Sequence, residues 1–168
     1  MSKVTIPLIL KVETNGFAGE ENFSILQICI TDVFARILYS KCYFGQQTDG
    51  AQAYNRISQG ELNSWAERKI ISEFMLERAL KNIFAKNTFI VKSKEFYEKY
   101  FESLCLETPD FLDLQELCLA KTGKRIKVPK DILVPDTAYN DCLCMISVIN
   151  QHNLLDLNSE EELINLEF

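Results

Sequence analysis

The sequence predicts an α/β fold with a mixed sheet and helices on both of its faces, and three observations carry that expectation. Three β-rich runs come first, a strongly amphipathic helix follows, and short β-runs then alternate with helical segments. Consecutive strands pair antiparallel, whereas strands joined through helices pair parallel, so the two halves together make a mixed sheet. The expected order is β-β-β-α-β-α-β-α-α.

Residues 6–12, Ile-Pro-Leu-Ile-Leu-Lys-Val, form an apolar run without alternation, as a strand buried on both faces does. Asn15-Gly16 and Gly19 mark the loop after it. Residues 23–31 and 35–44 are rich in β-formers and separated by a short polar break, which predicts an antiparallel meander. The polar, glycine-containing stretch 46–60 reads as a crossing loop with little regular structure. Over 69–85, Ile70, Ile71, Phe74, Leu80, Ile83 and Phe84 fall at helical spacing. Residues 88–91 are a short β-run, and Ser93 is placed to cap a helix through about Leu104. Phe111-Leu112 is the last strand, followed by a helix from Asp113 to Lys121 that Gly123 ends. Beyond Pro129 and Pro135, residues 137–152 form an apolar-rich helix. Ser159 with Glu162 makes a capping box for a short terminal one.

At 168 residues and 47% hydrophobic, the chain suits a single domain over 1–168, with its core in 6–152 and an acidic tail or helix over 153–168. No run approaches the ~20 apolar residues of a membrane span. The run 4–10 is followed directly by Lys11, which fits a buried strand better than a signal peptide. The cysteines at 29, 42, 105, 118, 142 and 144 include no Cys-x-x-Cys pair, and the lone histidine is His152. Free thiols in a reducing, cytoplasmic setting are therefore expected rather than zinc or disulfides.

A net charge of −6 does not predict broad affinity for duplex DNA. The charge is uneven, however. Lys121, Lys124, Arg125, Lys127 and Lys130 crowd one short segment, whereas the tail from Asp156 has five acidic side chains and no basic one. A solvated loop and a solvated helix are the plain account of both. Lys92, Lys94, Lys121, Lys124, Arg125 and Lys127 are the candidate nucleic-acid contacts.

Element order and several local patterns together resemble the DnaQ-like, RNase T-type exonucleases of the DEDDh class. Their Asp-x-Glu-Thr-x-Gly strand is matched by Lys11-Val12-Glu13-Thr14-Asn15-Gly16, and their next strand by Ile25-Leu26-Gln27-Ile28. The stretch 53–58 with Glu61-Leu62 is similar to a family loop. Lys92-Ser93-Lys94-Glu95-Phe96-Tyr97 stands where the family has His-Asn-Ala-x-Phe-Asp. Phe111-Leu112-Asp113-Leu114 resembles its helix start, and Asp136-Thr137-Ala138-Tyr139-Asn140-Asp141-Cys142 its His-x-Ala-x-x-Asp-Ala signature. The likeness spans roughly residues 6–150. It implies an RNase H-like fold, a five-stranded mixed sheet of order 3-2-1-4-5 flanked by helices.

Enzymes of this class hydrolyse a phosphodiester with two divalent metals about 4 Å apart, held by four carboxylates and served by a histidine base. The equivalent positions here are Lys11, Glu13, Tyr97 and Asp141, with Asp136 in place of the histidine. A shift in the third pattern would bring in Asp110 or Asp113 instead. Glu13 and Asp141 alone keep ligand chemistry. A lysine about 4 Å from a dication repels it by about 8 kcal/mol at an effective dielectric near 20. Lys11 is thus expected to pair with Glu13 or Asp141 and to replace metal.

Each residue also has a plainer account. Lys11 can end a strand, Glu13 and Asp136 can cap, Asp141 can be a surface carboxylate, and Tyr97 can pack in the core.

The resemblance accordingly implies an exonuclease-like, catalytically inactive binding or scaffolding subunit in a nucleic-acid-handling assembly. A protein partner is expected, with no cofactor and no membrane, and a homodimer is compatible with the fold. The alternative is a divergent 3′–5′ exonuclease acting on single-stranded DNA or RNA ends with Mg or Mn on Glu13 and Asp141. A further one is a non-catalytic single-strand binder.

Overall fold

A computed structural model describes residues 6–43, 45–65, 78–103, 106–130 and 137–157. Strands β1 (Leu8–Thr14), β2 (Ile25–Thr31) and β3 (Ile37–Cys42) form the antiparallel meander. Helices α1 (Asp49–Asn55), α2 (Gln59–Trp65) and α3 (Arg78–Lys86) lead to β4 (Thr88–Val91), α4 (Lys94–Ser103) and β5 (Asp110–Asp113). Helices α5 (Leu114–Thr122) and α6 (Ala138–Gln151) follow. The five strands lie in the order β3-β2-β1-β4-β5, with β4 parallel to both β1 and β5. This is an α/β mixed sheet of RNase H-like topology.

The two faces of β1 are divided by the two-residue period of a strand. Leu8, Leu10 and Val12 join the core shared with Leu80, Phe84, Tyr97 and Phe101 from α3 and α4. Ile9 enters the opposite core with Leu114 and Cys118 of α5 and Cys142, Met145 and Ile149 of α6. Lys11 and Glu13 continue the Ile9 side, so their charges point toward α6. Cys29, Cys118 and Cys142 are buried free thiols, and Cys42 and Cys144 are half-buried ones.

The stretch 46–60 departs from expectation, because α1 and the start of α2 occupy it. Thr48 caps α1 by accepting from the Ala51 amide, and only Asn55 of that helix is buried. A surface helix held by its cap has no apolar stripe to announce it. The helix expected over 69–85 is described from Arg78 onward, with Leu80 and Phe84 buried. Its earlier part, the capping box at Ser159 and Glu162, and Asp136 all lie outside the described residues.

Asp113 caps α5 through the amides of Gln115 and Glu116, and Gly123 ends that helix in the left-handed conformation. The cap of α6 is Thr137, whose hydroxyl accepts from the Asn140 amide.

Candidate functional site

The ladder between β1 and β4 pairs only Leu8 with Phe89 and Ile9 with Ile90. Past that point β1 runs on toward Thr14, while the chain leaves β4 for α4, so a crevice opens beside the second half of β1. The Val12 amide, facing this gap, donates to the Tyr97 hydroxyl at 3.0 Å. Tyr97 thereby satisfies a buried backbone donor that would otherwise cost about 1–3 kcal/mol. Burial pushes its phenol well above the ordinary range, and the nearby Lys11 charge only partly opposes this.

Lys11, Glu13 and Asp141 meet at the floor of the crevice. Two residues apart on a strand, Lys11 and Glu13 share a face. Asp141 is reached because α6 packs across β1 and β2. The first turn of α6 is fixed by Gln27 on β2, whose Oε1 accepts from the Ala138 amide at 2.9 Å. Lys11 Nζ lies 2.7 Å from Asp141 Oδ2 and 3.2 Å from Glu13 Oε1, with all three side chains 13% exposed or less. Both contacts are ion pairs, the one to Asp141 the shorter, and Glu13 Oε1 is buried without a well-directed hydrogen bond.

The electrostatics of the three groups are coupled. Burial by itself would lower the Lys11 pKa, but the charges of Glu13 and Asp141 and the hydrogen bond to Asp141 outweigh it, and the ammonium is held well above its ordinary value. Burial pushes Glu13 up to about 8; Lys11 opposes the rise and Asp141 adds to it. Burial also acts upward on Asp141, yet Lys11 and a hydrogen bond with Glu13 leave it below the ordinary carboxylate range. The shifts of the two carboxyl groups run in opposite directions, Glu13 toward its protonated form and Asp141 toward its charged one, so the ammonium is matched first by Asp141.

That donor set does not fit a pair of divalent metals. The Lys11 ammonium lies against both carboxyl groups, burial pushes Glu13 toward its protonated form, and the phenol of Tyr97 is engaged with the backbone. The other candidate carboxylates point elsewhere: Asp113 takes the Lys94 amide and the α5 cap, and Asp110 accepts from Thr88.

Above the floor lies a cleft of about 580 Å³, which Phe17, Tyr54, Phe96 and Tyr100 line together with the trio's Lys11 and Glu13. One wall is the β1–β2 loop, closed by Asn15. That side chain accepts from the Ser24 amide and donates to the carbonyls of Asn22 and Gln46. The facing wall is α4, where Tyr97 and Phe101 are core but Phe96 is 49% exposed. Aromatic residues isolated in polar sequence, as Phe17 and Tyr54 are, were the available signal for this lining.

A second pocket of about 520 Å³ adjoins the cleft and shares Tyr54, Lys92 and Gln115 with it. Arg125, Lys127 and Lys130 complete its cationic wall. Of the basic residues singled out in the sequence, Lys92, Arg125 and Lys127 come together here. Lys94 instead sits 3.8 Å from Glu98, Lys121 sits 3.5 Å from Asp156, and exposed Lys124 lines neither pocket.

Set beside known proteins, the chain matches no family model and no curated sequence. The resemblance to exonucleases accordingly rests on motif order, beside a sheet topology of the RNase H-like kind.

Proposed function

We propose that this chain is an exonuclease-like domain that binds without hydrolysing, serving as a binding or scaffolding subunit of a nucleic-acid-handling assembly. The observation that carries this reading is the Lys11 ammonium, 2.7 Å from Asp141 and 3.2 Å from Glu13. An ammonium supplies one fixed positive charge to the two acidic side chains. It cannot activate a water as a divalent metal does. A metal entering there must displace a buried, ion-paired cation, and the Coulomb term alone opposes this by several kcal/mol. The cleft above the trio keeps aromatic and polar walls, so loss of the hydrolytic set leaves a surface able to hold a ligand.

The test is 3′-end trimming of labelled single-stranded DNA and RNA in Mg²⁺ and in Mn²⁺. No shortening is expected in either metal. Shortening that Glu13→Gln abolishes would overturn the proposal, and this substitution keeps the size and hydrogen-bonding reach of the protonated side chain. Thermal unfolding with and without Mn²⁺ gives a second readout. The folded state is expected to gain no stability from the metal, whereas a rise that Asp141→Asn removes would favour a one-metal hydrolase.

A further inference from the structure

Among the described residues, the wall of the second pocket holds four cations, Lys92, Arg125, Lys127 and Lys130, and no carboxylate. That is a local inversion in a chain whose net charge is −6. Among the described residues, Lys92, Arg125 and Lys127 have no acidic partner, whereas Lys94, Lys99 and Lys121 each have one. The like charges of Lys92, Arg125 and Lys127 repel one another, and an anion bound among them lowers that cost.

The pocket is also held in shape. Gln115 of α5 clamps the segment behind it, donating to the Ile126 carbonyl at 2.8 Å and accepting from the Ile126 amide at 3.1 Å. Val128 is anchored in the α5–α6 core. Arg125 and Lys127, alternating with these two apolar residues, are thus presented from a fixed backbone rather than from the solvated loop that composition suggests. Lys130 Nζ stands 4.1 Å from the centre of the Tyr54 ring, a cation–π contact at the boundary between the two compartments. Few donors need rearranging to receive an anion, which lowers the entropic cost of binding.

We propose that this pocket is a phosphate site and that, with the adjoining aromatic cleft, it binds a small nucleoside phosphate intact. The phosphates lie among Lys92, Arg125, Lys127 and Lys130, and the base lies against Phe96 and Tyr54. Arginine suits this role because its planar guanidinium can meet two phosphate oxygens at once. A small ligand fits better than a long strand. A strand needs a cationic track along its backbone. Here the unpaired cations are confined to one end of the cleft, while Glu20 lines the other. The inference rests on the non-hydrolysing reading only in that the ligand survives binding.

The experiment is titration calorimetry of the full chain with ATP, AMP, adenosine, inorganic pyrophosphate and a short single-stranded oligonucleotide. ATP is expected to bind, with adenosine and pyrophosphate each weaker by about tenfold or more, a loss of about 1.4 kcal/mol. Arg125→Ala/Lys127→Ala should weaken ATP by at least about tenfold, and Phe96→Ala should weaken ATP but not pyrophosphate. Lys124→Ala, outside the pocket, should change neither.

Absence of ATP and AMP binding, or binding indifferent to the double substitution, overturns the site. An oligonucleotide that binds more tightly than ATP, with a salt dependence of more than about four phosphates at ~0.7 per phosphate, overturns the small-ligand assignment in favour of a strand. Recovered ligand is then analysed by chromatography. Cleaved oligonucleotide with an intact phosphate site would sink the non-hydrolysing reading alone, and uncleaved ligand with no binding would sink this inference alone.

Discussion

Lys11 lines the aromatic cleft, the Lys92–Arg125–Lys127 group lines the pocket adjoining it, and the two occupy opposite electrostatic situations. The Lys11 side chain is 11% exposed and closed in by two acidic groups, Asp141 at 2.7 Å and Glu13 at 3.2 Å. The basic group stands at the rim, and among the described residues it has no carboxylate facing it. The difference teaches where the molecule's positive charge is available. Buried, a cation must be matched by its neighbours or the fold suffers; at a rim it can stay unmatched until a ligand arrives.

The largest effect should come from breaking the buried side. Lys11→Met leaves Asp141 buried without its counterion, and chemical denaturation should show a loss of about 3–5 kcal/mol. An unchanged midpoint would mean that the ammonium contributes nothing to the fold.

Next comes pH. The folded value for Glu13, about 8, lies above its ordinary 4.5, so the folded state holds the extra proton between those values. The associated stability is present in full below about 4.5 and is lost as pH rises through about 8. Asp141 works in the opposite sense at the acid end, where its lowered pKa gives stability that disappears as pH falls below the ordinary 3.8. Unfolding between pH 5 and 9 should therefore show a decline of up to about 4 kcal/mol, at about 1.4 kcal/mol per pH unit, which Glu13→Gln flattens. A decline that persists in Glu13→Gln would assign the proton to another group.

A smaller effect sharpens the pairing itself. Adding Asp141→Asn to Lys11→Met should recover about 1–2 kcal/mol in a double-mutant cycle, because the stranded carboxylate is then gone. Strict additivity would show that the two side chains do not act as a pair.

Smallest of all, Arg125→Ala or Lys127→Ala should leave unfolding within about 0.5 kcal/mol of the parent. A larger loss would make the basic segment a part of the scaffold.

How much of this was legible in sequence depended on which signal each element carries. The strands were clear because β-branched and apolar residues cluster between turn residues, and β4 falls on the expected residues 88–91. Helix α1 was hidden because its face is polar and its stability comes from Thr48. Lys11 and Glu13 were legible as neighbours on one strand face. That Asp141 lies 2.7 Å from Lys11, across 130 residues, depends on Gln27 and Thr137 fixing the first turn of α6.

The aromatic stretch 96–101 held two answers in one helix, since Tyr97 and Phe101 turn to the core while Phe96 turns to the cleft. Helical spacing separates those faces, yet it does not say which of them has a partner.

The sequence by itself determined the α/β class and the strand faces, with Lys11 and Glu13 on one face of β1, because these follow from local periodicity and residue chemistry. Only the tertiary structure decided that Glu13 is buried beside Lys11 and Asp141 and that Lys92, Arg125 and Lys127 line one pocket. Both depend on burial and on distances between segments far apart in the chain, and electrostatic energy is set by those distances and by the surrounding dielectric rather than by order along the chain.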